Sequence, residues 1–159
     1  MTLPYLRFRM GPQRYALPLS RVRELIEYHQ PALLPGAPRV LRGLINVRGE
    51  PLPLVDLAWR LGMTLVTEVR KRPVLLLEAM WHRGPVCFGA DCDDVDGLIE
   101  LDESQLSPPS PFAKVPPPEF VKGVLAEDDE ITLVLDVERI LSEDDLLATA
   151  LTGEAAPES

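Results

Sequence analysis

Val40-Leu41-Arg42-Gly43-Leu44 is echoed eighty residues later by Phe120-Val121-Lys122-Gly123-Val124. In each copy an aspartate, Asp56 or Asp136, follows the glycine by thirteen residues. Each aspartate closes an apolar run, Leu52 to Val55 or Ile131 to Leu135. A short helical pattern follows, with Leu57 and Leu61 in one copy and Val137, Ile140 and Leu141 in the other. Upstream, Val22-Arg23-Glu24-Leu25-Ile26-Glu27 is echoed by Val95-Asp96-Gly97-Leu98-Ile99-Glu100 at an offset of 73. One unit is used twice, with an insertion or deletion between its matched parts.

Inside the units the local signals are strands and turns. Leu6 to Met10 and Arg14 to Leu17 flank Gly11-Pro12, a hairpin signal. Leu44 to Val47 and Leu52 to Val55 flank Arg48-Gly49-Glu50, and Leu125-Ala126 and Ile131 to Leu135 flank an acidic turn. Val74 to Leu77 and Val86 to Phe88 bracket Arg83-Gly84-Pro85. Short strands at this spacing indicate small barrels. Each half has roughly 70 residues, marginal for a lone core. The expectation is a mainly β chain of two barrel subdomains packed together in one folding unit.

Proline places further limits. Pro51 and Pro53 fall within a strand pattern, and proline has no amide to donate, so that strand should be an edge or carry a bulge. Six prolines between Pro108 and Pro118 indicate a stiff, extended connection. Ser142-Glu143-Asp144-Asp145 before Leu146-Leu147 is the start signal of a C-terminal helix. The domain should span residues 1–151, with a flexible acidic tail at 152–159.

At 46% hydrophobic and 26% charged residues, the 159-residue chain can bury a core. Its net charge of −9 disfavours bulk binding to nucleic acid or anionic lipid. No segment approaches the roughly 20 apolar residues of a membrane span, and the N-terminus alternates rather than resembling a signal peptide. A cytoplasmic protein is expected. The charge is uneven: residues 1–60 carry a net +5 and residues 61–159 a net −14. That asymmetry fits either plain solvated surfaces or two faces for different partners.

The sequence offers no catalytic constellation. Gly43 and Gly49 are isolated, without the Gly-Lys-Ser/Thr of a phosphate loop. There is no serine nucleophile elbow. His29 and His82 sit in polar, turn-like contexts, and Cys87 and Cys92 read as reduced thiols. In the acidic run Asp91 to Gly97, a calcium-loop alignment puts Cys92 where a carboxylate is required. No metal and no cofactor are expected. The contrasting class, a small acid-dependent hydrolase, would need a concave pocket with convergent carboxylates of shifted pKa.

The repeated features resemble the CheW family of chemotaxis coupling proteins. Tyr15-Ala16-Leu17-Pro18-Leu19, Leu34-Pro35-Gly36-Ala37-Pro38, Leu41 to Gly49 and Pro53-Leu54-Val55-Asp56-Leu57 carry the likeness in the first half. Asp94 to Ile99, Val121-Lys122-Gly123-Val124 and Leu133 to Leu141 continue it, so it covers roughly residues 3 to 150. The resemblance implies two SH3-like five-stranded β-barrels without catalysis. It implies a scaffold joining chemoreceptor signalling tips, docked between the barrels, to the regulatory domain of a CheA-type histidine kinase. Other CheW-like domains are further implied partners, and recruitment to membrane-associated receptor arrays would be through those partners, with no direct membrane contact.

By the same likeness, Val22 and Glu24 match the family's Val-x-Glu-Ile motif and Arg48 its Asn-Leu-Arg-Gly arginine. Glu24 and Arg48 then either pair to fix the fold or contact partners directly. The hairpin Ile45 to Leu54, with Asn46, Val47, Arg48, Gly49 and Leu52, is the expected kinase-facing edge, with Val47 or Leu52 as its exposed apolar contact. The dense prolines and the acidic second half depart from the family pattern. They favour a second possibility, an array cap or kinase regulator in a twitching-motility or developmental pathway.

Overall fold

The computed structural model describes residues 1–63, 72–110 and 116–145. The first hairpin is β1 (Leu3–Met10) and β2 (Gln13–Pro18); a single 3-10 turn over Leu19–Arg21 leads into β3 (Val22–Glu27). The second hairpin is β4 (Leu41–Val47) and β5 (Glu50–Val55), followed by α1 (Leu57–Arg60). The second unit repeats this order: β6 (Pro73–Trp81), β7 (Gly84–Asp91), β8 (Asp94–Leu101), β9 (Val121–Glu127), β10 (Glu130–Leu135) and α2 (Val137–Ile140). The helix start at Ser142 is present: the Asp145 carboxylate accepts from the Ser142 amide at 2.9 Å, and the Ser142 hydroxyl accepts from the Asp145 amide at 3.3 Å. Leu146-Leu147, the tail at 152–159 and residues 111–115 of the proline stretch lie outside the described residues.

The strands form two curled five-stranded sheets, ordered β8-β1-β2-β10-β9 and β3-β6-β7-β5-β4. These two barrels are not the two halves of the sequence. Each unit is a hairpin, a strand and a hairpin, and the two units exchange their first hairpins. β1 and β2 complete a barrel otherwise built from residues 94–135. β6 and β7 complete the barrel of β3, β4 and β5. The two expected barrels are present, and the exchange of hairpins between the units, which the sequence did not indicate, has a packing cause. The largest apolar cluster draws on both sheets, including Phe8, Tyr15 and Leu17 from one and Leu75, Leu77 and Phe88 from the other. The smaller clusters each line one barrel: Ile45, Val47, Leu52, Leu54, Val74 and Leu76 in one, Tyr5, Ala16, Leu101, Leu125 and Val134 in the other. A half alone would present the larger cluster's surface to water, so neither half is a complete burial unit.

The repeated glycines sit where another segment crosses them. The Ala32 bridge to Leu44 places the Ala32 carbonyl against Gly43, and the Ser107 bridge to Val124 places Leu106 against Gly123. The repeated aspartates cap the repeated helices: Asp56 accepts from the Trp59 amide at 3.1 Å and Asp136 from the Glu138 amide at 3.2 Å. Their own amides reach Val40 and Phe120, the residues that open the echoed motif, at 2.7 and 3.0 Å.

The prolines of β5 find a specific solution. β5 lies between β4 and β7, yet β7 pairs with it only at Leu54 and Val55. Pro51 and Pro53 therefore precede the stretch where a second neighbour would need their missing donors. The register shift between Leu41 and Gly43 lies on β4, opposite Leu54 and Val55, so β5 is neither an edge along its whole length nor the bulged strand.

Candidate functional site at a barrel mouth

The β4–β5 turn has only two residues, Arg48 and Gly49, both at positive φ (52° and 89°). This is the twist-matched hairpin geometry, and it favours glycine at the second position. Asn46 secures the turn, its side-chain oxygen accepting from the Gly49 amide at 2.7 Å. The strained residue is the arginine, which the turn lifts clear of the sheet. Arg48 donates both terminal nitrogens to Glu24 on β3, at 3.0 and 2.6 Å. The fork is bidentate, but the pair is open to solvent, with side-chain exposures of 70% for Arg48 and 37% for Glu24. The hydrogen bond from Arg48 holds the Glu24 carboxyl below its ordinary range, and the same bond raises the guanidinium of Arg48.

Beneath this pair lies a shallow groove of about 240 Å³, lined by Arg23, Glu24, Val47, Arg48, Leu52 and Cys87, among others. The structure thus brings Glu24, Val47, Arg48 and Leu52 together, with Asn46 and Gly49 shaping the turn. Val22 stands apart, packed against the cluster between the barrels. One expectation is corrected. Neither Val47 nor Leu52 faces outward; they are 8% and 6% exposed, inside the barrel. With Arg48 and Glu50 taken as the rim, the pleat turns both apolar side chains inward.

The sequence reading overlooked two residues. Leu25 and Leu98 occupy equivalent places in the repeat and are 47% and 59% exposed. Each lies directly across from a buried member of the inter-barrel cluster, Leu75 for Leu25 and Leu6 for Leu98. Cross-strand partners share a face, so the two leucines form the wet rim of the largest core. The signal was available: each opens a Leu-Ile pair set between acidic residues in the echoed segment, Glu24 and Glu27 in one copy and Asp96 and Glu100 in the other. The charges of β3 and β8 obscure their alternation, so neither segment reads as a strand from sequence.

The repeat also places a counterpart to the Arg48 turn on the other barrel, with inverted charge. Asp128 there has the same φ of 52°. It stands among Glu127, Asp129 and Glu130 beside a groove of about 320 Å³ that Arg7 and Arg14 also line. Arg14 pairs with Glu130 and with Asp96. Among the described residues, the carboxylates with displaced affinities are displaced downward. Backbone and hydrogen bonds lower Asp102 to about 2, and Lys122 lowers Glu103. At Glu138 burial pulls upward, but the Met80 amide and Arg21 prevail. Such groups stay ionised and are unsuited to general-acid work. His29 and His82 are exposed, and both cysteines are free thiols. The calcium-like run is spent on arginines: Asp91 and Asp93 hold Arg72, and Asp96 holds Arg9. Among the described residues no helix is long and apolar enough to cross a membrane.

The CheW-like domain model matches residues 4–145. The chain belongs to the CheW-like family. It is 27% identical to a probable chemotaxis protein CheW of Rhizobium etli, over 86% of this chain and 85% of that one. Identity to the chemotaxis protein CheW of Klebsiella aerogenes is 25%, over 89% and 83%. Identity to Protein PilI of Pseudomonas aeruginosa is 31%, over 74% of this chain and 64% of that protein. The crystal structure of the scaffolding protein TtCheW from Thermoanaerobacter tengcongensis superposes with a TM-score of 0.77 at 23% identity, covering 91% of each chain. At that identity the superposition establishes the fold: twin SH3-like barrels, as the resemblance implied.

Proposed function

We propose that this CheW-like domain is a non-enzymatic scaffold that couples chemoreceptors to a CheA-type histidine kinase. The observation that carries the reading is the Arg48 turn. It displays an ordered, bidentate ion pair at an exposed barrel mouth, above a groove floored by Val47 and Leu52. An exposed pair contributes little to folding, so its ordered presentation is better explained by recognition than by stability. The kinase's regulatory domain is assigned to this mouth. The receptor's signalling tip is assigned to the inter-barrel rim marked by Leu25 and Leu98. Recruitment to receptor arrays follows through those partners.

The test is ternary co-purification with a kinase regulatory domain and a receptor signalling fragment. A scaffold retains both together. Retention of one partner at a time, each excluding the other, would replace this reading with the array cap or kinase regulator. The 31% identity to Protein PilI is the observation that favours this second reading.

A further inference from the structure

A chain of ion pairs runs from the exposed Arg39 through the buried Asp91 to the connector between the barrels, and neither proposed docking surface uses it. Asp91, fully buried at the end of β7, accepts from Arg42 Nε at 3.1 Å and from Arg72 Nε at 2.9 Å. Arg42 continues to Asp56 at 3.0 Å, and Asp56 receives Arg39 at 3.3 Å. In the other direction Arg72, only 4% exposed, pairs with Asp93. Asp93 lies in the connector between β7 of one barrel and β8 of the other. Its carboxylate accepts from the amide of Gly11, in the β1–β2 turn, and its own amide donates to the Arg9 carbonyl at 2.9 Å. Five alternating charges, Asp56, Arg42, Asp91, Arg72 and Asp93, thus run from the cap of α1 in one barrel to a backbone turn in the other.

Apolar contact between the barrels is extensive but non-directional. Its close packing restricts the mutual angle of the barrels but supplies no fixed hydrogen-bond geometry there. Ion pairs with fixed hydrogen-bond geometry do the opposite: they add little net stability when buried, because desolvation offsets attraction, but they select one arrangement. We propose that the chain from Asp56 to Asp93 is an alignment clamp, which sets the angle between the barrels. Asp93 is its crossing point and acts as a positioning residue. On the scaffold reading above, the clamp keeps the two docking surfaces at a constant relation. The clamp itself does not depend on that reading.

The test is the Asp93→Asn substitution in the full chain, followed by backbone residual dipolar couplings. In the parent protein one alignment tensor should fit the amides of both barrels. In the variant each barrel should require its own tensor, and the Gly11 amide should exchange with solvent at least tenfold faster. Exchange within β4 and β5 should stay unchanged. One tensor of undiminished magnitude for the variant, with Gly11 still protected, would overturn the proposal. If Asp93→Asn does not fold, Asp93→Ser, which removes the charge and keeps a small polar side chain, decides by the same couplings: two tensors sustain the clamp and one rejects it. Partner binding is measured separately, so loss of the scaffold reading would leave this result standing.

Discussion

The carbonyl oxygen of Ala32 occupies the space that a side chain on Gly43 would need. Gly43 also sits at φ +145°, a conformation nearly closed to other residues. The obstacle is backbone, and a bridge to Leu44 holds it in place through hydrogen bonds of 2.8 and 2.9 Å. It cannot rotate away as a flexible side chain would. Gly43→Ala should therefore cost about 3–5 kcal/mol, in the range of the most damaging single substitutions. Gly49→Ala meets open space and carries only the left-handed penalty, so it should cost about 1–2 kcal/mol. Chemical denaturation of the two variants checks the contrast; equal losses would refute the account of Gly43.

Glu24→Ala and Arg48→Ala should leave the melting temperature nearly unchanged, because the pair is solvent-exposed. Kinase-domain affinity should fall about tenfold or more in each, as for truncation of an interface anchor. Titration calorimetry beside thermal melts separates the two effects. The reversed pair, Glu24→Arg with Arg48→Glu, should restore the ion pair without restoring binding. Full recovery of binding in that double variant would assign the pair a structural role only.

Leu52→Asp places an unpaired carboxylate inside the barrel and should destabilise by about 3 kcal/mol or more. Leu25→Glu and Leu98→Glu, at the exposed rim, should change stability by less than about 0.5 kcal/mol while weakening receptor-fragment capture. Circular dichroism melts and pull-downs on the three variants provide the check. Undiminished receptor capture by both rim variants would remove the rim from the docking surface.

Burial raises all three tyrosines: Tyr5, with help from Glu103, and Tyr15 to about 12, and Tyr28 to a lesser degree. The neutral phenol is the form the fold accepts. Its contribution to stability is complete below the unfolded value near 10 and is lost as pH rises toward 12. Phenolate absorbance from Tyr5 and Tyr15 should stay low at pH 10.5 and then rise together with loss of β-sheet signal. Ordinary titration near pH 10 with the fold intact would contradict the buried placement.

At the acid end the sign reverses. Asp102 falls from 3.8 to about 2 through the Ser104 amide and the N-terminal ammonium, 2.9 Å away. Its contribution is present above pH 3.8 and disappears as the carboxyl is protonated near pH 2. Asp102→Asn should therefore flatten the stability profile over that interval, lower stability at neutral pH and leave the slope there unchanged. Denaturation midpoints measured from pH 5 to about pH 2 would show it.

The hairpins and the helix start at Ser142 were legible because each is set by neighbours a few residues away, and the repeat because the same local pattern returns at offsets of 80 and 73. A turn residue, a proline without a donor and an N-cap act over one turn of chain. The Arg48–Glu24 pairing was legible only as one of two roles, since its exposure depends on where β3 runs beside the turn. Amino-acid order by itself determined that this chain is a twice-used β unit with strands, turns and caps in given places. Tertiary structure alone decided that the units trade hairpins, that Val47 and Leu52 turn inward, and that the acidic run is consumed by arginines. The physical reason is that burial is settled by surfaces brought together from opposite ends of the chain, and no local pattern records which surface a strand will meet.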